Sequence, residues 1–492
     1  LSPYYSAADN LALQPALVLA IFGCLILLLE LIIGKARAAQ MRAVILGVSL
    51  AGLALTGYML WGQQRVLDEG SGHVIAFAGA VSVDGFAIFF NWIFLASSAI
   101  TILISYKYLQ VEGEDHPEYY GLILLAQCGM YFLATGTDLV TIFIGLELMA
   151  LSFYILVGFL RNERRSNEAA MKYFLLGIFS SALLAYGFSL LFGVAGSTNL
   201  ATIARAVEAH DLKDPVLLIA LASVTTGLLF KVSAVPFHMW APDAYEGAPT
   251  PVTAFLSVGS KAASFALLLR IFLQPFGHMR PAWQPILIAT AVLSMTAGNL
   301  AAITQTNLKR LIAYSSISHA GYILLGLVAG NDTGLQGIAV YVLAYTFTNL
   351  GALLVIVALR RKRGEGSEED LDDIRGLAQR NPAYAALMIL FLLSLAGLPP
   401  TAGFIGKYYI FLSLIQTGHI TLAVVATLYV VVAVYYYFRI AKSMYVADAV
   451  QPELIASSVG LRVALACTGA LTLLIGLYPE PFIKFAELSL LR

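Results

Sequence analysis

Residues 215–240 read PVLLIALASVTTGLLFKVSAVPFHMW. The stretch is apolar for long enough to cross the roughly 30 Å hydrocarbon core of a bilayer as a helix. Pro236 interrupts it, because proline lacks a backbone donor and clashes with the preceding helical turn. Such a break is tolerated at membrane depth only where protein or trapped water satisfies the freed backbone groups. Lys231 stands just before the break and His238 just after Pro236. The same combination recurs at residues 394–407, SLAGLPPTAGFIGK, where Pro399 and Pro400 interrupt an apolar run over 383–414 and Lys407 follows.

Around these two runs the composition is that of a membrane protein. The 492-residue chain is 59% hydrophobic and 12% charged, about half the charge of an ordinary soluble domain. Apolar runs of membrane-crossing length recur from end to end, and the reading is an all-α polytopic membrane protein with about fourteen transmembrane helices, the seventh and twelfth broken. The first run, Leu11–Ile33, exceeds a signal-peptide core and no small-residue cleavage site follows it. Net charge is zero, which points away from nucleic acid. Most of the lysines and arginines, among them Arg161, Arg164, Arg165 and the run Arg360–Arg363, fall in one set of loops. The positive-inside rule makes that side cytoplasmic and sends both termini to the periplasm of a cell inner membrane.

The two breaks lie five spans apart. Spans four to eight and nine to thirteen then form two groups with a broken helix fourth in each, and an odd offset inverts one group relative to the other. Paired discontinuous helices in inverted repeats mark an ion pathway at the repeat interface. The predicted division is an N-terminal three-helix segment over 1–117, five-helix repeats over 118–273 and 283–446, and a C-terminal helix within 447–492. Lys231 and Lys407 are expected at equivalent positions beside the two breaks.

Four lysines sit within apolar runs: Lys172, Lys231, Lys261 and Lys407, with no arginine stranded in the same way. Lysine releases its proton when desolvated and arginine does not, and an ionisable residue inside a membrane is a functional candidate by default. Glu147, in LVTIFIGLELMAL, is the deep acid that pairs with a lysine; Lys172 is its natural partner by chain proximity and Lys231 the competitor. Glu30, near a span end, reads as structural. Lys261 has Ser257, Ser260 and Ser264 nearby to line a hydrated path, and His319, among Ser315, Ser316, Ser318 and Tyr322, is a candidate proton relay. His238 is placed at the cytoplasmic interface. The loop from Trp240 to Pro251 reads as a chain reversal and residues 361–376 as a solvated loop. Cys24, Cys128 and Cys467 are far apart, and no dinucleotide, Walker A, haem or iron–sulfur motif is present.

Four stretches carry a resemblance: LELMALSFY at 146–154, FKVSAVPFHMWAPDAYEGAPTPV at 230–252, NLKRLIAYSSISHAGY at 307–322 and SLAGLPPTAGFIGK at 394–407. Through them the chain resembles the antiporter-like membrane subunits of complex I, the respiratory NADH:quinone oxidoreductase, and within that family the N-type branch. The resemblance implies a fourteen-helix fold of two inverted five-helix repeats and a proton-pumping module driven by quinone reduction elsewhere. It implies no cofactor in this chain: NADH, FMN, iron–sulfur clusters and quinone belong to partner subunits, and this chain meets other membrane-arm subunits and lipid. Residue by residue, it makes Glu147 and Lys231 the coupling pair, Lys261 the central relay, His319 the bridge and Lys407 the outward-connecting lysine, with Lys172 a modulator. The alternatives are a cation/proton antiporter subunit without redox coupling and a structural membrane spacer.

Overall fold

The computed structural model describes residues 5–33, 38–70, 72–359, 369–448 and 458–490. The side chain of Glu30 and the basic run Arg360–Arg363 lie outside the described residues. The chain is almost wholly helical. It opens with α1 (Ala7–Ile33) and α2 (Ala38–Glu69), followed by a short antiparallel hairpin, β1 (His73–Ala76) with β2 (Val81–Asp84), which the hydropathy pattern did not indicate. Next come α3 (Gly85–Glu112), α4 (Pro117–Thr135), α5 (Leu139–Val157), α6 (Arg164–Ala195) and the short amphipathic α7 (Leu200–Glu208).

The first predicted break is present. α8 (Pro215–Lys231) stops at Lys231, a turn region carries Pro236, and α9 (Trp240–Gly247) resumes the chain. α10 (Thr250–Phe255) runs through a π-helical turn, Leu256–Ser260, into α11 (Lys261–Leu273). Then follow α12 (Arg280–Thr304), α13 (Leu308–Ala329), α14 (Asp332–Leu359) and the one-turn α15 (Leu377–Arg380). The second break separates α16 (Pro382–Ala396) from α17 (Ala402–Gln416); α18 (Ile420–Tyr445), α19 (Val459–Leu477) and α20 (Glu480–Glu487) complete the fold. Among the described residues eleven helical stretches are long and apolar enough to cross a membrane, with α8 and α16 as shorter apolar pieces.

Local chemistry sets these boundaries. Asp84 caps α3 by accepting from the Ala87 amide, Asp138 and Asp214 cap α5 and α8, and Asn307 caps α13, each satisfying amides that the first turn leaves free. At the second break Gly397 adopts a left-handed φ of 84°. Gly403 lies against the end of α16, where an added Cβ would fall 1.8 Å from the Ser394 carbonyl oxygen; its amide instead donates to Ser394 Oγ at 2.9 Å.

The segment from Thr250 to Leu273, α13 and α14 are buried along nearly their whole length, whereas α1, α6, α18 and α19 expose broad apolar faces. Phe179, Val431 and Phe438 are about two-thirds exposed. An apolar exterior around a centre that holds Lys261, His319 and several tyrosines inverts the arrangement of a soluble protein, as a lipid solvent requires.

Candidate functional site: a buried line of lysines

Three of the four singled-out lysines are buried: Lys231, Lys261 and Lys407. Lys231 closes α8, and its Nζ donates to Ser181 Oγ on α6 at 3.3 Å. Glu147, midway along α5, is the carboxylate whose charge acts on it. The two are not in contact, and Glu147 Oε1 is buried with no hydrogen-bond partner among the described residues. Next to Lys231, the Trp240 indole donates to the Phe230 carbonyl at 2.9 Å and stacks on Tyr173 at 4.5 Å. Tyr245 continues this aromatic wall to α13 through a 3.5 Å contact with Ser316 Oγ.

Lys261 follows directly on the π-helical turn, a feature that widens a helix locally and recurs at functional sites. Its Nζ donates to the Ser316 carbonyl at 2.9 Å and also to the Ser316 hydroxyl. Of the serines around Lys261, Ser257 accepts from Asn349 Nδ2 at 2.7 Å and Ser264 donates to the Ser260 carbonyl. One helical turn beyond Ser316, His319 pairs Nδ1 with Tyr341 Oη at 2.6 Å and Nε2 with Tyr437 Oη at 3.3 Å; Tyr437 Oη in turn meets Ser315 Oγ at 2.5 Å. Lys407 Nζ donates to the carbonyls of Leu395 and Ala396 at 3.0 and 2.9 Å, the free C-terminal groups of α16, and lies 4.7 Å from the centroid of the Tyr322 ring. A cation at a helix C-terminus interacts favourably with the helix dipole.

Lys231 stands before its break, at the end of α8, and Lys407 after its own, in α17, as their order in the sequence indicates. One expectation is corrected: Lys172 is neither buried nor paired with Glu147. It is half exposed and bridges Glu168 at 2.9 Å, its neighbour one turn back on α6, and Asp243 on α9 at 3.0 Å. Proximity in sequence pointed to Glu147, but this face of α6 looks towards α9.

The loop that reads as a simple reversal therefore carries charge. Asp243 also accepts from Arg310 at 2.8 Å, and Arg310 reaches Glu246 at 2.8 Å, tying α6, α9 and α13 together. Burial alone would raise the Asp243 carboxyl, but hydrogen bonds from Lys172 and Arg310 outweigh it and hold it below its ordinary range. A carboxyl lowered in the folded state stabilises above its unfolded value, near pH 4, and that contribution is lost as pH falls through the folded value. Asp243→Asn is thus expected to lower the melting temperature modestly at pH 7, as for a half-exposed pair worth about 1 kcal/mol or less. The difference from wild type should begin to shrink near pH 4 and vanish only below the lowered folded value. Melting curves of the purified assembly across that range check this.

Among the described residues three further buried cations, Arg270, Lys309 and Arg380, were not singled out by sequence. Arg270, at the end of α11, is fully buried; its guanidinium meets both Asp84 carboxylate oxygens at 2.9 Å, donates to the Ala134 carbonyl at 2.7 Å and covers the Phe86 ring. Lys309 is buried against Glu369 at 2.8 Å and donates to the Ala248 carbonyl. Glu369, inside the stretch read as solvated, is therefore part of the interior. His238 is half-buried beside the first break, and its Nδ1 has no partner among the described residues; no hydrogen bond joins it to Lys231 or Glu147. Among the described residues no group of three or more His, Cys, Asp or Glu side chains is placed to hold a metal ion.

Residues 136–433 match the family described as NADH:quinone oxidoreductase/Mrp antiporter, transmembrane. The chain is 61% identical to NADH-quinone oxidoreductase subunit N 2 of Solibacter usitatus over 493 aligned positions, covering 100% of this chain and 99% of the relative. It is 43% identical to NADH-quinone oxidoreductase subunit N 2 of Rhizobium meliloti, covering 97% of each. Among solved structures, a chain of respiratory complex I from Thermus thermophilus with bound aureothin superposes with a TM-score of 0.78 at 31% identity, covering 96% of this chain and 99% of that one. A chain of the Mrp complex from Dietzia shares the fold, with a TM-score of 0.83 at 21% identity and coverage of 98% and 97%. The four quoted stretches, the two broken helices and the full-length identity lead to one assignment: the chain belongs to the NADH:quinone oxidoreductase/Mrp antiporter transmembrane family, in the branch of the NADH-quinone oxidoreductase N subunits.

Proposed function

We propose that this chain translocates protons as a membrane-arm subunit of a respiratory NADH:quinone oxidoreductase in a bacterial inner membrane, with both termini periplasmic. Protons load Lys261 from the cytoplasmic side, pass through His319 and water to Lys407, and leave towards the periplasm. Redox chemistry with NADH, FMN, iron–sulfur clusters and quinone takes place in partner subunits, and this chain meets quinone only indirectly. The division into two inverted repeats over 118–273 and 283–446 is kept as part of the proposal, with the pathway between them.

The observation that carries this reading is the place of His319. It shares α13 with Ser316, which holds the buried Lys261, and with Tyr322, over whose ring the buried Lys407 lies, and it carries a tyrosine hydroxyl on each ring nitrogen. A histidine held this way exchanges a proton at one nitrogen while the other keeps its partner. Ser316 anchors Lys261 on the same helix, and water joins the remaining intervals, as it does between buried polar groups elsewhere.

Glu147 and Lys231 supply the drive. With the pair apart, Lys231 rests on a neutral hydroxyl and Glu147 has an unsatisfied oxygen. Bringing them together would change the charge felt further along the line. Moving one charge against 100 mV costs about 2.3 kcal/mol, within reach of making and breaking one desolvated ion pair. Identity favours this reading over an antiporter without redox coupling: the chain is 61% identical to one NADH-quinone oxidoreductase N subunit and 43% to another, over nearly the full length of each.

Lys407→Ala in the assembled complex tests the proposal. The proton-to-electron stoichiometry in proteoliposomes is expected to fall while NADH oxidation by the partner subunits remains measurable. An unchanged stoichiometry would rule Lys407 out of the path.

A further inference from the structure

Away from the lysine line, a cavity of about 310 Å³ lies between the ends of α1, α4 and α5, at the lower limit of the usual range for small-molecule sites. Its floor is apolar: Leu27 from α1, Leu122 and Leu125 from α4, and Ile155 from α5. Leu27 and Ile155 are 37% and 55% exposed. They continue the apolar outer face of α5 formed by Val140, Ile144 and Leu151, so the cavity opens sideways onto an exposed apolar face.

The other end of the cavity is charged. Glu118 stands in the first turn of α4, and Arg161 lies in the loop after α5. Both belong to helix ends on one side of the bundle, the level of the lipid headgroups. Opposite charges lining one small cavity would be expected to pair. They do not: neither forms an ion pair among the described residues, and Glu118 Oε2 is buried with no hydrogen-bond partner. A buried carboxylate oxygen without a donor carries a desolvation cost that a ligand donor would remove.

We propose that this cavity binds one zwitterionic phospholipid whose headgroup ends in a primary amine, a phosphatidylethanolamine. The acyl chains lie along the apolar floor, the phosphate meets the Arg161 guanidinium, and the terminal ammonium donates to Glu118. The arrangement selects among lipids. A primary ammonium brings three N–H donors, as a lysine does, whereas a trimethylammonium brings none and leaves Glu118 Oε2 unsatisfied. Lipids with net negative headgroups meet repulsion from Glu118. Arginine suits phosphate through its planar fork of donors. The site stands apart from the relay residues, and the inference holds whichever lysines carry protons.

The test uses the assembled complex in mild detergent, incubated with dioleoyl phosphatidylethanolamine carrying a diazirine on one acyl chain, or with the matching phosphatidylcholine. After illumination, labelled peptides of this chain that contain Leu122 and Leu125 are quantified by mass spectrometry. Labelling by the ethanolamine lipid is expected to exceed that by the choline lipid about tenfold, the size of one hydrogen bond to a charged group. Glu118→Gln, which keeps the shape of the side chain, is expected to remove that preference. Leu122→Trp, which fills the floor, is expected to reduce labelling by both lipids. Equal labelling of wild type by the two lipids overturns the proposal, as does a preference that survives Glu118→Gln. Because the headgroup comparison is made on wild type, it decides the matter even if Leu122→Trp fails to assemble.

Discussion

Lys261→Ala is expected to remove this chain's contribution to proton pumping while leaving the complex assembled. Lys261 is buried at the centre of the bundle, and its Nζ is held by the carbonyl and hydroxyl of Ser316, one turn from His319. Losing a positioned proton-transfer group slows the step it serves by about 10² to 10⁴. No neighbouring side chain replaces it: Ser257 and Ser264 are committed to Asn349 and to the helix backbone. Alanine is well tolerated in a helix, and it removes a buried amine rather than adding bulk. The readout is proton uptake into vesicles normalised to NADH oxidised. Pumping at the wild-type ratio would remove Lys261 from the path.

Asp84→Ala is expected to be the most damaging change to the scaffold. Arg270 is fully buried, and Asp84 is its counter-charge through two 2.9 Å contacts. Removing one partner of a buried pair costs about 3–5 kcal/mol because the other charge is left uncompensated. The same carboxylate caps α3, a loss of about 1 kcal/mol on its own. Together these are a large part of the total stability of an ordinary domain. Asp84→Ala should therefore sharply lower the amount of assembled complex recovered and its melting temperature. Replacing both partners with apolar residues, Asp84→Leu with Arg270→Met, should recover much of the loss, since a buried pair exchanged for packed apolar groups is often neutral. A single variant as stable as wild type would show that Arg270 does not depend on Asp84.

Much of the scaffold was legible because its signals are local. Pro236 and the Pro399–Pro400 pair mark the two breaks, and both appear as helix ends. Long apolar runs identified Lys231, Lys261 and Lys407 as buried, since a lysine well inside such a run cannot readily reach water. Capping residues such as Asp214 and Asn307 stand where the helices begin.

What escaped the sequence depends on contacts between distant segments. Asp84 and Arg270 are 186 residues apart, and nothing local to either names the other. Lys172 shows the converse error: its neighbours in sequence are apolar, yet Glu168 and Asp243 hold it at a half-exposed face. Glu369 looks solvated within an acidic run but is buried against Lys309. The π-helical turn before Lys261 leaves no compositional trace, because LSVGS is compatible with an ordinary helix.

The central claim is that these lysines act by giving up a proton and not only by their charge. Lys261→Arg separates the two, because a guanidinium keeps the charge but does not deprotonate in a protein. The decisive measurement is the proton-to-electron stoichiometry of the assembled Lys261→Arg complex in sealed proteoliposomes, with assembly and NADH oxidation followed in parallel. The relay predicts a stoichiometry below wild type by the protons this chain carries, matching Lys261→Ala. A wild-type stoichiometry with arginine at this position would contradict it.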